Sequence, residues 1–316
     1  MASSGSTNKT SLLQNGLFNP PSTFINTLVL IKDTYLVGKK IGYGSFGEVY
    51  EGTDTINRKS VAIKIEPIET KSEVLKHEYK VYRDIYKPGS DLAQIYYFGI
   101  EDDYRVLVMD SLGKSLGQLH RLCKSKFSLK TTLILADQML NRIEYLHNND
   151  YIHRDLKPEN FLMGKGFNNN KVYLIDYGLA KRYRQSGKHI AFKNGKNLVG
   201  TARYASINSH LGVQLSRKDD LESLAYIMIF FVKGRLPWQS LKTNNKEEKY
   251  QGIMRVKAST STKTLCQDIP NEFKLFIDHV KSLDFIEKPN YKYLRGLIRQ
   301  CMVNHNLSYD LQLDFT

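Results

Sequence analysis

The chain of 316 residues is long enough for one large domain or two lobes with cores of their own, and its 41% hydrophobic and 25% charged residues are ordinary for a globular protein. Its formal net charge of +14 is not ordinary and points to an anionic partner: nucleotide, phosphoprotein, acidic substrate, membrane surface or nucleic acid. Cys123, Cys266 and Cys301 form no C-x-x-C pair, which argues against a disulfide framework or zinc site and suits a reducing compartment, and no run of about eighteen apolar residues is present to span a bilayer.

Residues 1 to about 23 are rich in Ser, Asn, Thr, Gly and Pro and read as a flexible tail. They show neither a signal peptide nor, beginning Met-Ala, a myristoylation site. The apolar stretch 24–31 reads as an added strand or a docking segment.

Strand patterning begins at Tyr35. Residues 35–54 alternate apolar and polar around Gly42, Gly44 and Gly47. A lone G-x-G-x-x-G is weak, and in a dinucleotide-binding fold it leads into a helix. Here it leads through Val49 and Tyr50 into a second strand at 61–66. Glycines in such a turn let backbone amides approach phosphate oxygens with no Cβ in the way. Lys64 ends the triplet Val61-Ala62-Ile63, and either snorkels from the strand or meets a phosphate.

Residues 71–86 carry a helical pattern with Val74, Leu75, Tyr79, Tyr82 and Ile85 on one side. Glu78 on that helix is the candidate ion-pair partner of Lys64, with Glu73 as competitor. A turn at Lys87–Ser90 and strands at 94–99 and 104–109 follow. Met109 then guards an inner pocket or fills the core, and Asp110–Gly113 reads as a hinge. Two helices, at 115–123 and 130–149, deliver the chain to the stretch Tyr151–Asn160.

That stretch, YIHRDLKPEN, organises the rest: it reads either as a solvated polar loop or, since H-R-D-x-K-x-x-N resembles the catalytic loop of protein kinases, as a phosphoryl-transfer site. Phosphoryl transfer needs a carboxylate to accept a hydroxyl proton, and Asp155 fits. It needs an oxygen ligand for magnesium, which Asn160 supplies, and positive charge near the transferring group, which Lys157 supplies. Strands near 161–163 and 172–176 then carry Asp176, 21 residues after Asp155, into Tyr177-Gly178. Asp176 is either a turn former or a second metal ligand.

From Tyr177 to Lys218 there is no Asp or Glu, while the stretch holds Lys181, Arg182, Arg184, Lys188, Lys193, Lys196, Arg203, Arg217 and Lys218. The run as a whole reads as a site for anions, although single members read equally as solvated charges. Residues 221–232 read as a buried helix that Asp220 caps. Residues 242–316 read as helices and connectors with no further catalytic cluster, and apart from His153 the histidines read as structural.

The motifs HRDLKPENFLMG, LIDYGLAKRY, KNLVGTARYASINSHLG, SRKDDLESLAY and LPWQSLK together resemble the casein kinase 1 family of serine/threonine protein kinases, from about Tyr35 to Asp314. Most protein kinases close the activation segment with Ala-Pro-Glu; Ser206-Ile207-Asn208 stands there, as in this family. The resemblance implies an α+β bilobal kinase fold: a tail at 1–30, a β-rich lobe at 31–110 and a mainly helical lobe at 111–316. It implies ATP and Mg2+ as cofactors, with Lys64 and Glu78 as an ion pair, Asp155 as base and Asn160 and Asp176 as metal ligands. ATP would lie against Ile41, Gly42, Gly44, Gly47, Val49, Ala62, Lys64, Met109, Asp110, Leu112 and Leu162. A substrate-phosphate pocket would use Arg203 and Lys249 with Lys181 and Lys196. The expected partners are protein substrates acidic or phosphorylated three residues before the target, met by a monomer in cytoplasm or nucleus and active without activation-loop phosphorylation. In this setting Asp220 would also hold the catalytic-loop backbone.

Departures from the family pattern are Tyr177 for Phe, Ala191-Phe192 for Pro-Tyr, Ala225 for Gly and Ser240 for Gly, and many members carry a regulatory tail beyond the position of Thr316. Two other readings compete: a non-catalytic adaptor using the basic surface, and a nucleic-acid binder suggested by charge alone. The presence of Lys64, Asp155 and Asp176 disfavours the first, and the lack of a recognised nucleic-acid motif disfavours the second.

Overall fold

The computed structural model describes residues 29–44, 47–70, 72–239, 241 and 245–316. Residues 1–28 of the expected tail at 1–30 lie outside them, as does Ser240.

A six-stranded antiparallel sheet forms the first lobe. In chain order its strands are β1 (Leu30–Ile31), β2 (Tyr35–Gly44), β3 (Gly47–Asp54), β4 (Lys59–Pro67), β5 (Ile95–Glu101) and β6 (Tyr104–Asp110), arranged β1-β2-β3-β4-β6-β5. The short β1 pairs with β2, so the described end of the apolar stretch 24–31 is an added strand. Period-two alternation gives the sheet two apolar faces. Val61, Ile63 and Ile65 face outward into a cluster with Ile31, Tyr50, Val106 and Val108. Ala62 and Lys64 project to the opposite side with Leu107 and Met109, which join the main core.

Helix α1 (Val74–Ile85) covers that inner side, burying Leu75, Glu78, Val81, Tyr82 and Ile85. Its first N–H groups are capped from another element. The Glu66 carboxylate on β4, 1% exposed, accepts from Val74 N at 3.1 Å and Leu75 N at 3.4 Å. Helix and sheet are therefore tied at the end nearest Lys64.

The second lobe is helical: α2 (Leu116–Leu122), α3 (Leu129–Asn148), α4 (Ile207–His210), α5 (Arg217–Lys233), α6 (Lys246–Ser259), α7 (Thr262–Leu265), α8 (Asn271–Ser282) and α9 (Tyr291–Asn304). The apolar set of the α3 sequence, Leu133, Ile134, Met139, Leu140, Ile143 and Leu146, is buried throughout, at 1% exposure or less. Helix α5 is buried nearly all round and packs against α3 and α8. Asp220 does not cap it. Asp219 does, accepting from Ser216 N at 2.7 Å, because it stands three residues into the helix, where its carboxylate folds back on the preceding backbone.

Between the lobes run short strands β7 (Tyr151–Ile152), β8 (Phe161–Met163), β9 (Val172–Leu174), β10 (Lys181–Arg182), β11 (Arg184–Gln185) and β12 (Lys188–His189). Strand β9 ends two residues before Asp176, which adopts a left-handed backbone at φ 66°. The expected bilobal α+β architecture is the one observed.

Candidate active site

The sheet register aligns the nucleotide-pocket candidates. Gly42 pairs with Val49, Val49 with Lys64 and Ala62 with Met109. A Cβ on Gly47 would lie 2.2 Å from the carbonyl oxygen of Ile65, so the protein itself demands glycine there. A Cβ on Gly42 would meet nothing within 4 Å. Gly44 pairs with Gly47, and the loop tip, Ser45-Phe46, lies outside the described residues. Ile41 is 51% exposed beside this turn, and Met109 is buried. Beyond the hinge, Gly113 N donates to Met163 O at 2.7 Å and Ser115 bridges to Leu162, which brings Leu112 and Leu162 to the same crossing. The Asp110 side chain turns to its neighbours instead, accepting from Gln94 N at 2.8 Å and Tyr96 Oη at 2.5 Å and pairing with Lys59 at 2.9 Å. Only its backbone is left to face the cleft.

Lys64 and Glu78 meet at 2.6 Å, both largely buried. Burial opposes charge on the lysine, but Glu78 and Asp176 together hold its ammonium above the ordinary lysine range. Glu73, the competitor, pairs with Lys76 and Arg105 at the start of α1. Tyr177, 1% exposed, packs edge-on against Tyr82 of α1 at 4.8 Å and stands 5.5 Å from the ring of His153. Its hydroxyl donates to Leu174 O at 3.1 Å. The tyrosine thus fills the aromatic position and satisfies its own extra polar atom.

In the catalytic loop the Asp155 carboxylate is held from two sides. Oδ1 accepts from Thr201 N and Thr201 Oγ1, each at 2.8 Å; Oδ2 accepts from Lys157 Nζ at 2.6 Å. The Asn160 amide nitrogen donates to Asp155 O at 3.0 Å, which leaves the amide oxygen as the end it offers a cation. Ile175 N donates to Asn160 O at 3.0 Å, setting Asn160 beside the backbone that leads into Asp176. One amide oxygen and one carboxylate, both hard donors, suit Mg2+ completed by phosphate oxygens. Asp220 accepts from His153 N at 2.7 Å and Arg154 N at 2.9 Å, and so holds the loop backbone. His147 bridges Asp220 at 2.8 Å and Tyr291 at 2.7 Å.

Five of the nine cations in the acid-free stretch are already engaged, Lys181 among them, its Nζ donating to Gln214 Oε1 at 2.8 Å. Arg182 pairs with Asp84 at 3.0 Å and Arg184 with Asp150 at 2.6 Å. Arg217 and Lys218 donate to carbonyl oxygens at Ile286, Glu287, Lys281 and Leu283. The charge surplus of that run is thus partly offset by acids distant in sequence. Three lysines of the stretch gather beside Arg154 of the catalytic loop. Burial, then Arg154, Lys196 and Lys193, push the Lys181 ammonium down, which places four cations in one neighbourhood. Arg203 and Lys249 are both exposed, on the activation segment and α6. Phe192, at a departure from the family pattern, stacks edge-on against Phe285 at 5.2 Å.

Sequence reasoning missed Thr201, whose signal was its place after Gly200. That glycine has φ 87°, and a Cβ on it would lie 2.4 Å from Arg154 O, so only glycine brings Thr201 onto Asp155. It also missed Glu66, Asp219 as a cap, and Lys257.

Among the described residues no helix is long and apolar enough to cross a membrane. The sequence matches the family model described as protein kinase domain over residues 35–298, which span the glycine turn, the Lys64–Glu78 pair, the Asp155 loop and the whole acid-free stretch. A domain of this kind transfers phosphate from ATP to protein, typically with a divalent metal ion. The chain belongs to the protein kinase domain family.

Proposed function

We propose that the chain is an active serine/threonine kinase of the casein kinase 1 type, with one catalytic domain from about residue 35 to 314 divided near Asp110. The observation that carries this reading is Asp155, whose carboxylate is fixed between Thr201 and Lys157. A proton acceptor so restrained is aimed before substrate arrives.

In the proposed reaction the substrate hydroxyl oxygen bonds to the γ-phosphorus of ATP as the β–γ bridging P–O bond breaks. The hydroxyl proton passes to Asp155, and ADP leaves. Lys157 and Lys64 offset charge on the phosphate oxygens, and Glu78 holds Lys64 in place. Asn160 and Asp176 would hold Mg2+, which supplies charge neutralisation at those oxygens. The adenine would lie between Ile41, Val49 and Ala62 above and Leu112 and Leu162 below, against Met109, with the Asp110 and Leu112 backbone at its edge.

The pairing of Lys64 with Glu78 and of Thr201 with Asp155 supports activity without activation-loop phosphorylation. The lysines near Arg154, with Arg203 and Lys249, support preference for a substrate acidic or phosphorylated three residues before the target. Guanidinium and phosphate match as a bidentate pair. Action as a monomer in cytoplasm or nucleus belongs to the same proposal.

The test compares two peptides with Mg2+ and ATP: one with phosphoserine three residues before the target serine, its twin with serine there. Strong preference for the primed peptide, reduced in Arg203→Ala, is expected. Equal use would remove the anion pocket and leave the kinase; no transfer to either peptide or to casein would favour a non-catalytic adaptor.

A further inference from the structure

Lys257 lies in the last turns of α6 and is 1% exposed. Lysine is rarely buried so deeply unless paired. The partners here are backbone: Nζ donates to Ala202 O at 2.8 Å and Ala205 O at 2.5 Å. It also stands 5.0 Å from the ring of Tyr226 and 5.0 Å from that of Trp238. The Trp238 Nε1 in turn donates to Arg203 O at 2.8 Å. Three carbonyls within the Ala202–Ala205 stretch are therefore held by donors from the helical lobe. Immediately outside it, Thr201 is fixed on Asp155, and Ser206 and Asn208 on Asp219, at 2.7 and 3.0 Å.

The side chain of Arg203, in the middle of this clamp, is exposed, its guanidinium 5.8 Å from the ring of Tyr204. Where a guanidinium reaches depends on its backbone, and this backbone is fixed through its own oxygens. Burial pushes the Lys257 ammonium down to about 7, with Lys281 adding to that effect and Glu222 opposing it, so the contact is kept against a desolvation cost. No carboxylate takes over the role: Glu222 is engaged with Ile207 N at 3.1 Å and Tyr226 Oη at 2.6 Å.

We propose that Lys257 is a positioning residue for substrate selection: by clamping the carbonyls on both sides of Arg203 it aims that guanidinium at the substrate's anionic group. The inference rests on the proposed reading of Arg203 as an anion contact.

The experiment measures kcat and KM for the primed peptide and its unphosphorylated twin in the native protein, Lys257→Met and Trp238→Phe. The second variant removes one donor and keeps the ring. Lys257→Met should raise KM for the primed peptide about tenfold, the scale of one lost charge-assisted contact, against about twofold for the twin. Trp238→Phe should shift the same ratio in the same direction by less, and it alone decides if Lys257→Met does not fold. An unchanged ratio in the folded variants, or equal losses on both peptides, would overturn the role of Lys257 while leaving the anion pocket. Native protein with no preference for the primed peptide would overturn the anion pocket itself, and this inference with it.

Discussion

Asp220 of α5 and Arg154 of the catalytic loop, 66 residues apart, are joined by a hydrogen bond of 2.9 Å from the Arg154 backbone N–H to the Asp220 carboxylate. The other oxygen takes His153 N and His147. Burial works against this charge, yet His147 and then His153 hold the carboxyl below the ordinary aspartate range. The loop that carries Asp155 is thus fastened to the most buried helix of the protein.

Asp220→Asn should therefore be costly. An amide puts a donor where one of two backbone N–H groups needs an acceptor. A loss of about 3 kcal/mol in unfolding free energy is expected, with kcat falling as the loop loosens. Denaturant unfolding checks the first and steady-state kinetics the second; a fully stable, fully active variant would contradict the anchoring role.

Glu78→Gln removes the partner of a buried ammonium. The expected loss in kcat/KM for ATP corresponds to about 2 kcal/mol or more. Glu73→Gln, on the exposed pair with Lys76, should change it little. Equal effects in the two variants would contradict the pairing.

Tyr177→Phe removes one hydroxyl bonded to Leu174 O and keeps the ring against Tyr82. A stability change of about 1 kcal/mol and near-native activity are expected, read by thermal melting and peptide assay. A large loss of activity would mean that the hydroxyl does more than satisfy itself.

Lys257 gives a pH signature. Unfolded, the amine keeps its proton to about 10.5; folded, it gives it up near 7. Between these values the unfolded chain binds the extra proton, so rising pH stabilises the native fold. The unfolding free energy of native protein relative to Lys257→Met should climb as pH rises above 7. A difference flat with pH would contradict the burial of a titrating amine.

Residues whose placement follows from local spacing were legible in the sequence: Lys64 in its strand, Asp155 and Asn160 five apart in one loop, Asp176 after an apolar run. The amphipathic faces of α1 and α3 were legible for the same reason. Glu78 was the candidate partner of Lys64 and is the one observed, at 2.6 Å, while its competitor Glu73 pairs with Lys76 and Arg105. The pairing of two cations in the acid-free stretch was not legible. The compensating acids, Asp84 and Asp150, lie 98 and 34 residues from their partners, and no window along the chain sees them. Glu66 and Lys257 act through backbone groups of distant elements, and a backbone contact leaves no mark in residue type; Thr201 meets the Asp155 carboxylate 46 residues away, marked only by the glycine before it.

The central claim is phosphoryl transfer by Asp155. The most direct test is transfer of labelled γ-phosphate from ATP to casein by native protein and Asp155→Asn, with nucleotide binding measured on both. The account predicts transfer by the native protein, a loss of about a thousandfold in the variant, and equal nucleotide binding. Native protein that binds nucleotide and transfers nothing, or a variant as active as native, would contradict it.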